Sequence, residues 1–325
     1  MGGGHPSLGP PPTSALRPAA HRGVTPRAAG RSERARRLAA QQPQLTISDG
    51  ILVFCTVLDD TQRNSELKES IEQLLIIVAP HVRQLTGLPA PSNEVRFRLL
   101  EPKAWRHECG QHTRRVLDRD RANLDLVLTP EQLEGADIAV KITGFLPAVI
   151  WPLFSALTVE AGDGGSETII APRALHHTGL VDEAPLLCQL VAHELTHHFQ
   201  AVAGAPWRTL FPRERRICPR GAVTLVKGHA HWVAQQVTCR VFGRPVDHHE
   251  HAHRSLRYQL AKGVCHLPLF AGVRHDAYLR GVAFVHHVVH ERGTDPINRA
   301  WNDHTLLPTA DEISDPGAWI RRTAA

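Results

Sequence analysis

Apolar residues fall into periodic segments only after Leu45. Ile51–Val57 is a short apolar run of the kind that forms a strand. Leu67, Ile71, Leu74, Val78, Val82 and Leu85 then recur at helical spacing. They predict a helix over Asn64–Gly87, with Ser65 to cap it and Gly87 to close it. Val95, Phe97 and Leu99 alternate with Arg96 and Arg98, the period of a half-buried strand. Pro102 suits a first helical turn and opens a helix to about Leu117. Thr168–Ala171 reads as another short strand, and the C-terminal half reads as helices. Asp182 can cap a helix that carries Pro185 in its first turn and ends at Gly204-Ala205-Pro206. A further helix spans Ala222–Phe242 and stops at Gly243. Thr309 with Glu312 has the spacing of a capping box, and Asp315-Pro316 starts a last short helix. Strands followed by helices predict an α+β fold in which helix dominates.

Residues 1–44 lack this periodicity and are rich in Gly, Pro, Ala and Arg. Such a composition buries too little apolar surface to order itself, so they are expected to be a disordered basic tail. The globular domain is expected over residues 45–325, with an N-terminal part to 180 and a metal-site part over 181–325. The formal charge of +5 belongs to the tail: residues 1–42 hold seven arginines against Glu33, a net +6, leaving −1 for the remainder. A near-neutral body argues against a nucleic-acid partner. Six scattered cysteines without a Cys-x-x-Cys pair read as buried thiols of a cytoplasmic protein. No apolar signal segment follows the N-terminal arginines. The longest uncharged stretch, Ile142–Val159, is broken by Gly144, Pro147 and Pro152, which reads as core with turns rather than a membrane span.

Histidine is concentrated unevenly: 17 of 22 lie between His176 and His304. The chemically informative group is His193-Glu194-Leu195-Thr196-His197, inside the apolar helix 182–204. Two histidines at i and i+4 share a helix face, so both imidazoles can reach one Zn²⁺. Glu194 projects beside them toward a metal-bound water and is the candidate general base. His198 points about 100° away from His197 and falls outside that pair. Zinc needs a third protein ligand, and the next helix carries Lys227-Gly228-His229-Ala230-His231.

The paired segments resemble the zincin-like metallopeptidase type 2 family, bacterial proteins described as zinc-dependent metalloproteases or associated with deazaflavin-cofactor biosynthesis. The similarity rests on His193-Glu194-Leu195-Thr196-His197, Ala205-Pro206-Trp207, Lys227-Gly228-His229, Tyr278–Val285, Asn298-Arg299-Ala300-Trp301, Leu307-Pro308 and Asp315-Pro316-Gly317-Ala318-Trp319. Pro80–Leu88 and Val95–Leu117 also resemble the family's N-terminal half, so the likeness spans about residues 75–320. It implies a zincin-like fold, bound Zn²⁺, and hydrolysis of a peptide or protein substrate. The family's third ligand is a Glu that aligns with Lys227, and an ammonium cannot ligate zinc while protonated. The family's acidic residue one turn later aligns with His231, on the same helix face as position 227, so the resemblance implies His231 as the substitute ligand, with His229 as second choice. The resemblance also marks Tyr278 as a donor to a transition-state oxyanion, beside the simpler reading of a buried tyrosine with a satisfied hydroxyl. Lys227 supports an alternative function: a catalytically inactive binding or scaffold protein that keeps the fold. His248–His253 reads as a solvated His-rich tract, and His286 with His290 as the polar edge of a core helix.

Overall fold

A computed structural model describes residues 53–122, 130, 134, 151–205, 219–244, 246, 255–265 and 275–324. The basic tail, the tract His248–His253, Pro206-Trp207, Cys218 and the side chains of Cys265 and Tyr278 lie outside the described residues. The described part is a helix-rich α+β unit with one small mixed sheet. Strand β1 (Cys55–Asp59) leads into helix α1 (Ser65–Thr86), strand β2 (Val95–Leu99) and helix α2 (Pro102–Ala122). Strands β3 (Ala156–Glu160) and β4 (Ser166–Ile170) form a hairpin. Helices α3 (Pro172–Thr178), α4 (Ala184–Val202), α5 (Pro219–Phe242), α6 (Leu256–Cys265) and α7 (His275–Arg292) follow. Three short helices close the chain: α8 (Asp295–Asn302), α9 (Ala310–Ser314) and α10 (Pro316–Thr323).

The sheet order is β1-β2-β4-β3. β1, β2 and β4 run parallel, and β3 joins antiparallel at the edge. One row across the sheet decides what faces the helices. It runs Val57, Phe97, Thr168, Thr158 by strand register. The row is therefore apolar under α1 and becomes hydroxyl-bearing toward the β3 edge, where α4 crosses it. Ile169 and Val159 face the other way and pack with Trp105 and Trp151 in a second, smaller core.

The main core joins α1 (Ile71, Val78, Val82), β2 (Phe97), α4 (Leu195, Phe199), α5 (Leu225, Val233) and α7 (Phe284, Val288). Trp301 and Trp319 fill it from the C-terminal helices. Truncating such a side chain, for example Phe97→Ala, costs about 3–5 kcal/mol. α5 is the central helix, packing on α4 along one face and α7 along another.

Two expected caps differ. Ser65 is the first residue of α1, and Asn64 stands at the cap without a side-chain bond to the helix. The Asp59 carboxylate organises that entry instead, accepting the backbone N–H groups of Thr61 and Asn64. Asp182 belongs to a separate turn, Leu180–Asp182, and α4 begins at Ala184 with Pro185 in its first turn. Gly87 and Gly243 do close their helices, each donating its N–H to the carbonyl four residues back. Thr309 and Glu312 form a reciprocal capping box, and the Asp315 side chain caps α10 through the Ala318 N–H. β3 was not expected as a strand; it occupies the end of the stretch expected to be core with turns. Cys55, Cys109 and Cys188 are free thiols pushed up to about 12 by burial. Among the described residues, no helix is long and apolar enough to cross a membrane.

Candidate metal centre

Helix α4 is apolar enough to sit between the sheet, α1 and α5, so its polar residues must be paired on its way through. They divide by helical face. Glu194 and His198, one turn apart, turn toward the sheet. Thr158 Oγ1 donates to Glu194 Oε2 at 2.7 Å. Thr158 and Thr168 hydroxyls are 2.9 Å apart, and Thr168 Oγ1 lies 2.9 Å from His198 Nε2. Ser166 Oγ completes the run 2.8 Å from His198 Nδ1, and the Phe97 ring lies against the same imidazole. His198 is thus a strut between helix and sheet. Thr196 is turned back on its own helix, bonding the Ala192 carbonyl at 2.7 Å.

His193 and His197 occupy the neighbouring face. Their Nε2 atoms are 3.2 Å apart, with ring planes at 90° and centroids 4.8 Å apart. Two nitrogens each about 2.0–2.1 Å from one tetrahedral zinc stand about 3.3 Å from each other, with ring centroids about 5 Å apart. The pair fits such an ion. His193 is half-buried, while Glu194 and His197 are buried.

His231 of α5 faces this pair. Its ring centroid is 6.1 Å from that of His193, about 1 Å beyond the spacing that two rings on one zinc adopt. Among the described residues no three His, Cys, Asp or Glu side chains form a preformed metal-binding group. The two imidazoles of α4 are close together, and His231 stands further off. His229, the second choice, is fully buried and points elsewhere: Nδ1 lies 3.0 Å from Gln200 Nε2, and its ring packs against Trp301. Burial pushes the His229 imidazole down to about 4.

Electrostatics at the pair follow from burial and from Lys227. Burial pushes the Glu194 carboxyl above its ordinary range; the Thr158 hydroxyl and the Lys227 charge oppose this without cancelling it. Burial pushes His197 down to about 3, and the Lys227 charge acts in the same direction. The same charge opposes a cation at His197. A neutral imidazole is nevertheless the form that binds metal.

Tyr278 lies on α7, three residues before Gly281, whose backbone meets Gly228 of α5. His286 and His290 are exposed on α7, with ring centroids 6.4 Å apart. Two residues of the site were absent from the sequence reading. Thr158 was hidden in an unrecognised strand. Gln200 lies one turn beyond His197, a spacing that identifies it as a helix-face neighbour once His197 is singled out.

Residues 220–320 match the zincin-like metallopeptidase family. The match takes in Lys227-Gly228-His229, Tyr278–Val285 and the closing tryptophan segments, and begins after the His193–His197 helix. No curated protein matches the chain. A crystal structure of a candidate hydrolase with a novel fold, from Chloroflexus aurantiacus, is similar with a TM-score of 0.50 and 18% identity, covering 90% of this chain and 96% of the other. At that identity the likeness is one of fold.

Proposed function

We propose that the chain is a zinc-dependent hydrolase of the metallopeptidase type, acting on a peptide or amide carbonyl. The observation that carries this reading is the pair of Nε2 atoms 3.2 Å apart on perpendicular imidazoles, on the helix that also carries the buried Glu194. The zincin-like match over residues 220–320 supports it from an independent part of the chain. In this reading His193 and His197 hold the ion and His231 supplies the third nitrogen. Zinc in such a site polarises the carbonyl and acidifies water. Thr158 holds Glu194 Oε2, and Glu194 Oε1 takes the proton of the attacking water. Tyr278 is the proposed oxyanion donor, carried on the helix that crosses α5 beside Lys227.

The test is hydrolysis of a mixed peptide library by the zinc-loaded protein. Glu194→Gln is expected to lower kcat by about 10²–10⁴ while leaving bound zinc unchanged. A zinc-loaded wild type without hydrolytic activity overturns the enzyme assignment. Lys227 favours a second reading, an inactive protein that retains the fold as a binding or scaffold module. Its ammonium stands at the sequence position of the expected acidic ligand, and its charge bears on both Glu194 and His197.

A further inference from the structure

Gln200 is fully buried and makes three polar contacts, one on α4 and two on α5. Its Nε2 lies 2.9 Å from the Val226 carbonyl and 3.0 Å from His229 Nδ1, and its Oε1 lies 2.7 Å from His197 Nδ1. A backbone carbonyl can only accept, so the amide nitrogen must face Val226 and the amide oxygen must face His197. An amide oxygen can only accept as well, so His197 Nδ1 must carry the proton. That leaves the lone pair of His197 on Nε2, the atom that faces His193. The second amide hydrogen goes to His229 Nδ1, which places the His229 proton on Nε2. The Val226 carbonyl, which can only accept, thereby orients the run, and the run ends on His229 Nε2, a buried nitrogen with no hydrogen-bond partner among the described residues.

We infer that Gln200 is a positioning residue that sets the tautomer of His197 from the backbone of α5. The inference takes its functional meaning from the metal reading above, because an Nε2 lone pair is what a ligand imidazole needs. Its second consequence is mechanical. Val226 and His229 flank Lys227, and His231 is one turn further, so the residue that orients one ligand also sets the register of the helix expected to bring the third.

The experiment is long-range proton–nitrogen correlation on ¹⁵N-histidine-labelled full-length protein in the presence of a chelator, with His197→Ala and His229→Ala used to assign the signals. The expected result is the Nδ1–H tautomer at His197 and the Nε2–H tautomer at His229. Gln200→Met is expected to mix the His197 tautomers and to weaken zinc about 10- to 100-fold. Gln200→Glu keeps an oxygen opposite His197 but gives Val226 no donor. It is expected to restore the His197 tautomer and most of the zinc affinity while leaving the melting temperature lowered. A merely structural role would lower affinity and melting temperature together in both variants. An Nε2–H tautomer at His197 in the wild type, which requires no variant to fold, overturns the inference. A wild type that shows the expected tautomers but binds no zinc supports the Gln200 assignment and overturns the metal reading.

Discussion

Gly228 of α5 and Gly281 of α7 touch backbone to backbone. A methyl group on Gly228 would stand 2.3 Å from the Gly281 carbonyl carbon, and one on Gly281 would stand 2.3 Å from the Thr224 carbonyl oxygen. Neither obstacle is a flexible side chain, so the helices would have to separate. Lys227 precedes this crossing, so its closeness fixes how far apart α5 and α7 stand beside Lys227. Gly228→Ala is expected to cost about 1–3 kcal/mol or more and to lower the melting temperature clearly. Gly263→Ala on exposed α6, with nothing within 4 Å, is the control and should raise stability by up to about 1 kcal/mol. Equal melting temperatures for the two variants would refute a tight crossing.

Thr158 is expected to matter out of proportion to its size. Thr158→Val keeps the shape but removes the donor to Glu194 and the contact with Thr168. The buried carboxylate then loses a partner, at a cost of about 1–3 kcal/mol in urea unfolding. A Thr158→Val protein as stable as the wild type would show that Glu194 does not depend on that hydroxyl.

The capping box gives a pH dependence of defined sign. Burial pushes the Glu312 carboxyl up, but bonds from Arg322 and the Thr309 N–H outweigh it, so its pKa is below the ordinary carboxylate value. A folded-state pKa below the unfolded one contributes stability that is full above the unfolded value and disappears as pH falls through the folded value. Glu312→Gln should therefore be less stable than wild type at neutral pH, by about 1 kcal/mol or less given solvent screening. The two denaturation midpoints should converge in acid below the ordinary carboxylate range. A gap that persists unchanged there would refute the linkage.

Lys227 can be tested by restoring an acidic residue. Lys227→Glu removes the charge that bears on Glu194 and His197 and adds an oxygen ligand at the expected position. Zinc affinity measured by competition with a chromophoric chelator should rise at least about tenfold. An unchanged affinity would mean that the side chain at 227 lies outside the metal's reach, leaving His231 as the α5 contributor.

Much of the fold was legible because the signals are local. The helical period through Leu67–Leu85, the alternation Val95–Leu99 and the Thr309/Glu312 pair each act within a few residues, and the elements stand where those patterns put them. β3 was not legible because Ala156–Glu160 becomes a strand only by pairing with β4, and Thr158 gains its role only from α4 across the sheet. His193 and His197 share a face by helical geometry alone. Gln200 depends on a carbonyl of another helix, which no spacing encodes. Gly228 and Gly281 are single letters in separate motifs, and their common cause is the crossing at which they meet. The same holds for Gly221, where a methyl would stand 2.2 Å from the Pro308 carbonyl oxygen and so collide with the Leu307-Pro308 segment.

The most direct measurement is the zinc content of the purified full-length protein by mass spectrometry at neutral pH, alongside His193→Ala and His197→Ala. A site built on the 3.2 Å pair predicts close to one zinc per chain in the wild type and its loss in either variant, with all three proteins folded by circular dichroism. A folded wild type that takes up no zinc, or one whose zinc survives both substitutions, would contradict the assignment.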